Sequence, residues 1–342
     1  MIVMVGLGLI AAGAESAVHS VEKTIILNTP VARLASSARA GVDQHAAFIT
    51  AGPCPLVGVW RLRGHEQLLS TPGAGTCRST PFGLSLTGWY ALWGTVRVRA
   101  GREIYEVWRA GTSDFDVGPG FRGPGRPGPY QVPRRLVSRS VPRGSAAPIV
   151  MLGHTYWVDG AVVGLDGQYP IPPVRLASMG GNAVAVEAPS GAIDIILGRA
   201  FGHPALGHIE YPPGEVRAMR GDTNLGQLAV LRRGQLDLLS TRGELERMFR
   251  MPSASSYGDD NCMRPSCTLP EVRLSDFNWP YVVYVHGRVI HAIHMRTGRD
   301  VVVRRPAAAP VHAQMEAGGL TYSHGRRITY VPISKIEALF RR

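Results

Sequence analysis

The stretch from Val272 to Val303, VRLSDFNWPYVVYVHGRVIHAIHMRTGRDVVV, contains every part of a small antiparallel β-sheet. Its β-branched and aromatic runs predict four strands, which are Val272–Ser275, Tyr281–Val285, Val289–Met295 and Asp300–Val303. His286-Gly287 separates the second run from the third and is typical of a hairpin turn. This stretch therefore predicts one complete four-stranded unit.

The same order of apolar strand, turn glycine and second strand recurs along the chain. Hairpin glycines of this kind are Gly101, Gly160, Gly191, Gly234, Gly287 and Gly325. From Gly191 onward their spacings are 43, 53 and 38 residues, whereas the interval from Gly160 to Gly191 is only 31. The short interval predicts either a short unit or a different register there. Short lead-in strands also repeat, as Arg33–Ser36, Arg175–Ser178, Val216–Ala218 and Arg273–Ser275.

This repeat predicts an all-β fold, a β-propeller of about seven, or alternatively six, four-stranded antiparallel blades. A helical solenoid would need an apolar period of 3.6 residues, which these segments lack. With 342 residues, 45% of them hydrophobic and 18% charged, the chain can bury one large core. We expect a single propeller domain over residues 21–342.

Residues Thr24–Asn28 form an isolated predicted strand before the first blade. In propellers, a strand from one terminus commonly completes the sheet begun by the other, since closing the ring removes exposed edges. We therefore expect this strand to pair with the last blade near Ile328–Ile333.

Residues 1–20 are interpreted as a signal peptide or a disordered N-terminal segment. The first fourteen residues, MIVMVGLGLIAAGA, are apolar or small and end in the cleavage-site pattern Ala12-Gly13-Ala14. A rival interpretation is the dinucleotide fingerprint G-x-G-x-x-A at Gly6–Ala11, with Glu22 as the ribose-binding acid. We prefer the signal peptide because the fingerprint needs alternating strands and helices, and no amphipathic helix of ten residues follows.

Residues 118–144, GPGFRGPGRPGPYQVPRRLVSRSVPRG, are predicted to form a Gly/Pro/Arg-rich loop between two blades. The alternative is an arginine-rich arm for acidic ligands. The whole chain carries a net charge of +12, which favours acidic partners. Nearly all of its basic residues are arginine, however. A GC-rich genome produces this bias regardless of function, so the charge is weak evidence and we expect no nucleic acid partner.

The four cysteines fall into two local pairs, and we predict the disulfides Cys54–Cys77 and Cys262–Cys267. Zinc is the alternative, but no C-x-x-C spacing supports it. Two disulfides and a signal peptide together place the protein outside the cytoplasm, secreted or in the cell envelope.

Candidate chemical motifs are sparse, and we predict no catalytic, cofactor-binding or metal-binding residue. His291 and His294 are three apart on a strand and so point to opposite faces. His203 and His208 do not have the spacing of a helical zinc motif. Two further patterns, a calcium-like run at Gly258–Asn261 and a near nucleophile elbow at Gly83–Gly88, lack their usual context.

Most tryptophans are expected to pack between blades. Trp60, Trp93 and Trp108 fall at strand positions where large rings fill the space between sheets. Trp89 and Trp279 lie at strand entrances and are expected nearer a rim of the ring.

The repeats resemble the WD-like and TolB-like propeller repeats of secreted bacterial proteins, through lead-ins such as RLAS and RLSD and strands such as YALW and YVVYV. The resemblance covers residues 24 to 340 and implies a rigid platform for partners. The chain has no Trp-Asp dipeptide and no aspartate box, so no functional residue is carried over.

The function expected from this resemblance is that of a non-catalytic binding or protein-interaction scaffold, monomeric and without a membrane span after signal removal. Its partner would be a protein or an acidic polymer. The alternative is a propeller enzyme acting on extracellular polysaccharide. That alternative requires two or more carboxylates to converge with raised pKa values, from the set Asp159, Glu187, Asp194, Asp237 and Asp276.

Overall fold

The structure is a computed structural model. It describes residues 21–37, 45–62, 66–69, 79–86, 90–111, 131–152, 155–158, 161–164, 167–170, 176–180, 183–188, 190–197, 206–222, 227–259 and 269–342. Strands dominate this part of the chain, and they assemble into seven separate sheets.

Strand β1 (Lys23–Ile26) is the first strand of the residues that the structure describes. Sheet 1 contains β2 (Val31–Ser37), β3 (His45–Thr50), β4 (Val57–Arg61) and β5 (Glu66–Leu69). Sheet 2 contains β6 (Ser79–Leu86), β7 (Tyr90–Arg99), β8 (Arg102–Gly111) and β9 (Arg134–Pro142). Sheet 3 contains β10 (Ile149–Leu152), β11 (Thr155–Val158), β12 (Ala161–Gly164) and β13 (Gly167–Pro170). Sheet 4 contains β14 (Leu176–Gly180), β15 (Ala183–Glu187), β16 (Ala192–Leu197) and β17 (Gly207–Glu210).

Sheet 5 contains β18 (Val216–Gly221), β19 (Leu228–Arg232), β20 (Gln235–Leu239) and β21 (Leu245–Arg250). Sheet 6 contains β22 (Tyr257–Asp259), β23 (Val272–Asn278), β24 (Tyr281–His286), β25 (Val289–His294) and β26 (Arg299–Arg304). Sheet 7 contains β27 (Val311–Glu316), β28 (Gly319–His324) and β29 (Arg327–Pro332), and helix α1 (Ile333–Arg341) follows it.

Each sheet contains an antiparallel meander, and the predicted hairpins are confirmed. The described turn glycines lie between the second and third antiparallel strands of their sheets, counted from β23 in sheet 6, and Gly287 and Gly325 have positive φ, where glycine alone pays no steric penalty. The predicted lead-ins are confirmed as the first strands β2, β14, β18 and β23. Sheet 3 has strands of only four residues, which explains the short interval between Gly160 and Gly191.

Both faces of sheet 6 are buried, because this sheet packs between sheets 5 and 7. Strand β24 shows this directly: Val282 and Tyr284 belong to the core shared with sheet 5, whereas Val283 and Val285 belong to the core shared with sheet 7. Alternate residues along such a strand therefore face two different cores, whereas in a sheet with one exposed face they would face the core and the solvent.

The first antiparallel strand of each sheet, which is β23 in sheet 6, contacts those of the two neighbouring sheets, and these contacts form a ring. Contacts run from β2 to β6, β10, β14, β18, β23 and β27 in turn, and β27 contacts β2. The first and last sheets of the chain are thus neighbours.

The predicted pairing of the two ends of the chain is confirmed. Strand β1 lies antiparallel beside β29, with Thr24 opposite Thr329 and Ile25 opposite Ile328. The Oγ1 atoms of the two threonines are 2.9 Å apart. Since β1 completes sheet 7, it covers the outer edge that β29 would otherwise expose.

The loop predicted over residues 118–144 is wrong in its second part. Residues 134–142 form β9, the outer strand of sheet 2, which pairs with β8 along its length. The apolar side chains of Leu136, Val137 and Val141 pack against the core between sheets 2 and 3, and this burial outweighs the Arg- and Pro-rich composition. Residues 118–130 lie outside the described residues.

Two further elements were absent from the sequence prediction. Strand β22 adds a fifth strand to sheet 6, parallel to β23 and on the inner side of the ring, where it also contacts β18. Helix α1 packs against β26, β28 and β29, with Ile336 fully buried. Its Phe340 ring lies against Tyr281 and His294 of sheet 6.

Candidate functional site

The five carboxylates named as candidate catalytic groups do not form one site in the part of the chain that the structure describes. Asp194 lies in β16, Asp237 in β20 and Asp276 in β23, and each binds a different set of partners. Asp159 and the side chain of Glu187 lie outside the described residues.

Asp276 connects sheet 6 to sheet 7. Its Oδ2 accepts a hydrogen bond of 2.6 Å from the backbone N–H of Met315, and its Oδ1 accepts one of 2.9 Å from that of Phe277. Burial raises the pKa of Asp276 to about 6, although these hydrogen bonds and the nearby Arg220 lower it. By exposed area the side chain is only half-buried, so its desolvation is incomplete. The carboxylate is committed to holding two backbone donors.

Asp222 and Arg220 make the corresponding connection from sheet 5 to sheet 6. Asp222 is fully buried, and its Oδ1 accepts a hydrogen bond of 2.8 Å from the backbone N–H of Trp279. Arg220 Nε donates to the carbonyl of Ser275 at 2.9 Å. Sheets 5, 6 and 7 are therefore cross-linked by polar side chains on or next to β18 and β23.

Asp237 belongs to a separate network that joins sheet 5 to the connection between β17 and β18. Its carboxylate accepts hydrogen bonds from Tyr211 Oη at 3.0 Å and from Gln235 Nε2 at 2.6 Å. Arg232 Nε lies 2.8 Å from the same carboxylate, and the Arg232 guanidinium also binds Glu215. Burial, reinforced by Asp237, raises the pKa of Tyr211, which therefore stays protonated and donates. This network fills the hydrogen-bonding capacity of Asp237 with structural partners.

Asp194 and His208 form an exposed ion pair on the two outer strands of sheet 4. Nδ1 of His208 is 2.7 Å from Oδ1 of Asp194, and Nε2 is 3.7 Å from Oε1 of Glu210. The hydrogen bond with Asp194 raises the pKa of His208 above its ordinary value. His203 lies outside the described residues.

The prediction that His291 and His294 do not converge is confirmed. His291 stacks on Tyr284 with ring centroids 4.6 Å apart, whereas His294 contacts Tyr281 on the other face of sheet 6. Trp279 is partly buried, and the guanidinium of Arg296 lies over its ring, 5.7 Å from the centroid.

The packing role of Trp60, Trp93 and Trp108 is also confirmed. Trp93 and Trp108 are buried between sheets 1 and 2, and Trp60 is buried between sheets 7 and 1. The Trp108 Nε1–H donates to Thr95 Oγ1 at 3.1 Å, which satisfies its buried polar group.

The remaining sequence motifs fall wholly or partly outside the described residues. Cys54 is disulfide-bonded, but Cys77, Cys262 and Cys267 are not described, so the two pairings stay predictions. The calcium-like run is described only as far as Asp259, the last residue of β22. In the near nucleophile elbow, Ser85 is buried within β6. Glu22, the proposed ribose-binding acid, instead binds Arg304 and Lys335.

An open cleft of about 610 Å³ lies between the outer strand of sheet 5 and the adjoining face of sheet 6. Its lining residues are Arg247, Met248, Phe249 and Arg250 of β21, together with Ile293, Gly298 and Asp300. We call this feature the β21 cleft. Its volume falls in the range of sites that hold small ligands or short peptide segments.

The β21 cleft combines apolar and cationic groups. Ile293 is buried, Phe249 is half-buried against the same core, and Met248 is 58% exposed. Arg247 Nη1 donates to the carbonyl of Arg296 at 2.6 Å, which holds that guanidinium beside the opening.

The carboxylate of the β21 cleft, Asp300, is occupied by neighbouring side chains. Tyr284 Oη donates to its Oδ2 at 2.6 Å, and Nδ1 of His291 lies 3.3 Å from its Oδ1. Burial, reinforced by Asp300, raises the pKa of Tyr284, so the phenol remains a donor. The lining contains two arginines, Arg247 and Arg250, and one aspartate, so the net charge of the cleft is positive.

Sequence patterns did not indicate this cleft. Its two sides come from strands about fifty residues apart, and only the packing of sheet 5 on sheet 6 brings them together. The one local signal is the Arg-Met-Phe-Arg run at 247–250, in which apolar residues stand between charges on an outer strand.

Comparison with known proteins supports the fold. Hsv2 of Kluyveromyces lactis, a WD40 β-propeller protein, aligns with 86% of this chain and 90% of its own, at 11% identity and a TM-score of 0.50. Sqt1 of Saccharomyces cerevisiae aligns with 90% of this chain and 97% of its own, at 10% identity and a TM-score of 0.49. No protein-family model and no curated protein sequence matches the chain.

The alignment with Hsv2 shows a WD-like β-propeller fold. Within the described residues, no helix has both the length and the apolar character needed to cross a bilayer.

Proposed function

We propose that this chain is a propeller of seven blades, sheets 1 to 7, that acts as a rigid binding scaffold whose partner docks in the β21 cleft. The observation that carries the proposal is the cleft itself, an open volume of about 610 Å³ with an apolar base and cationic sides on a cross-linked frame. The ring of contacts between first strands supports seven blades.

The frame supports this role because the sheets on either side of the cleft are fixed to each other. Arg220 and Asp222 of sheet 5 both bind backbone groups of sheet 6. A site held on rigid strands loses little conformational entropy when a partner docks, which favours binding.

The alternative, an enzyme acting on extracellular polysaccharide, needs a pair of available carboxylates. Among the described candidates, Asp276 has the raised pKa, yet both its oxygens accept backbone N–H groups. Asp237 is likewise bound by Tyr211 and Gln235. These contacts favour the scaffold.

A selection from a displayed library of random peptides tests the scaffold proposal. We expect wild type to enrich peptides that the Arg250→Glu variant no longer binds, because the substitution reverses a charge of the cleft. Arg233→Glu, an exposed arginine in the β19–β20 turn, is the matched control and should bind as wild type does. Equal binding of the enriched peptides to all three proteins would contradict the proposal.

We also propose that the protein is exported. The apolar segment before Ala14 and the disulfide-bonded state of Cys54 support this location. Intact mass and N-terminal sequencing of the protein from its native host test it. A mature chain beginning near Glu15 with no free thiols is expected, and a full-length chain with four free thiols would contradict export.

A further inference from the structure

We propose that the β21 cleft binds an extended segment of a partner protein, alternating acidic and apolar residues, which adds to the free edge of β21 as a further strand of sheet 5. This inference rests on the scaffold function proposed above and specifies how the partner is recognised.

The hydrogen-bond pattern of sheet 5 identifies which backbone groups of β21 face outward. The N–H of Met251 donates to the carbonyl of Gly234 at 3.0 Å, toward β20. In an antiparallel ladder, alternate residues point their N–H and C=O to the same side, so Phe249 and Arg247 also face β20. Met248 and Arg250 must then point theirs away from it. In the described residues, β21 pairs with β20 alone, so these groups form an open edge.

The lining of the cleft agrees with this geometry. Side chains of a strand alternate between its two faces, so a pocket lying over one face would be lined by every second residue. Four consecutive residues, Arg247 to Arg250, line the β21 cleft instead. The cleft therefore runs beside the strand, where an added strand would lie.

The other side of the cleft supplies a place for side chains of the added strand. Phe249 and Ile293 provide apolar surface, and the Phe249 ring stands 3.6 Å from the position that a Cβ on Gly298 would take. Leu245 and Met248 are 52% and 58% exposed on this edge strand. Exposed apolar residues on an open edge promote pairing with another chain, which favours a partner with apolar side chains at alternate positions.

Charge selects an acidic segment. Arg250 is exposed and has no hydrogen-bond or ion-pair partner among the described residues, and Arg247 is fixed beside the opening by the carbonyl of Arg296. Asp300, the opposing charge of the lining, is already bound by Tyr284 and His291. Carboxylates of the partner would form ion pairs with Arg247 and Arg250, because a guanidinium can donate two hydrogen bonds to one carboxylate.

The test uses a fluorescein-labelled eight-residue peptide in which glutamate alternates with valine or isoleucine, and measures its fluorescence anisotropy with the full chain. We expect saturable binding to wild type and to Arg233→Glu, and affinity lower by about tenfold or more for Arg250→Glu. A second peptide carries an N-methyl group on every backbone amide, which removes all the backbone donors but keeps all the side-chain charges. Its binding should be lost, and hydrogen exchange of residues 245–250 should slow only with the first peptide.

The Met248→Pro variant provides an independent check on the protein. Proline removes an outward N–H that β20 does not use, so the ladder of sheet 5 is kept, and peptide binding should fall. Thermal unfolding verifies that the variant is folded. If it is not folded, the N-methylated peptide still tests whether the partner adds as a strand.

Two outcomes separate the inferences. Undiminished binding of the N-methylated peptide would overturn strand addition and leave the scaffold proposal standing. If the acidic peptide does not bind, and the library instead yields non-acidic peptides whose binding depends on Arg250, only the acidic character of the partner is overturned.

Discussion

The carboxylate of Asp222, at the end of β18, accepts a hydrogen bond of 2.8 Å from the backbone N–H of Trp279 in the next sheet. The two residues are 57 positions apart and join the turns of neighbouring sheets. A buried carboxylate thus replaces the backbone pairing that separate sheets cannot make with each other.

Removal of this carboxylate should destabilise the protein. We expect Asp222→Ala to lower the free energy of unfolding by about 2 to 3 kcal/mol, because the substitution leaves the Trp279 N–H without its partner. Urea denaturation measures the change. Glu210→Ala, at an exposed position of β17, is the control and should alter stability by no more than about 0.5 kcal/mol. A similar small effect for Asp222→Ala would contradict the role of the carboxylate.

The raised pKa of Asp276, about 6, gives stability a defined pH dependence. The folded protein binds this proton more tightly than the unfolded chain does. The contribution of Asp276 to the free energy of unfolding is therefore fully present below about pH 4 and is lost as the pH rises to about 6. Relative to Asp276→Asn, wild type should lose up to about 3 kcal/mol of stability across this range. Denaturation of both proteins at several pH values measures it, and parallel curves would contradict the expectation.

His208 should titrate above its ordinary pKa because it binds Asp194. Since the folded pKa is raised, the ion pair stabilises the fold at low pH and its contribution is lost as pH rises through the folded value. Both side chains are exposed, so the effect on stability is small. NMR titration of the ring protons in wild type and Asp194→Asn tests this, and the substitution should lower the pKa. An unchanged pKa would show that the pair does not persist in solution.

The pairing of β1 with β29 can be locked covalently. Thr24 and Thr329 are directly opposite, with their Oγ1 atoms 2.9 Å apart, so cysteines at both positions are close enough to form a disulfide. We expect the oxidised double variant to be more stable than wild type by about 2 to 4 kcal/mol. Mass spectrometry detects the bond, and wild type with and without reductant controls for the native cysteines. Failure to oxidise would contradict the register.

Much of the fold follows from local sequence signals. The hairpins were predictable because each needs only two adjacent apolar runs and a glycine, as at Gly287. Strand β22 was not, because Tyr257–Asp259 is three residues long, contains a glycine and finds its partner only through β23. Strand β9 was missed because proline and arginine mask its apolar residues, and α1 because it has only nine residues.

The candidate site could not be predicted either, because it forms only when segments far apart in sequence pack together. Individual residues of the β21 cleft carry no recognisable motif, and the meaning of Arg250 depends on which neighbours lie beside it. The buried carboxylate of Asp222 was equally hidden. An aspartate that follows one strand and binds the backbone of the next sheet looks, in sequence, like any turn aspartate.

The pairing of β1 with β29 also determines when the molecule can be completed during synthesis. During translation, residues 23–26 are made long before their partner residues 327–330. Sheet 7 and the ring therefore close only after residues 327–330 have been made. Until then β1 has no partner, and the growing chain exposes an open strand that other molecules can pair with. The edge of β1 is therefore protected from pairing with other chains only once β29 has been made.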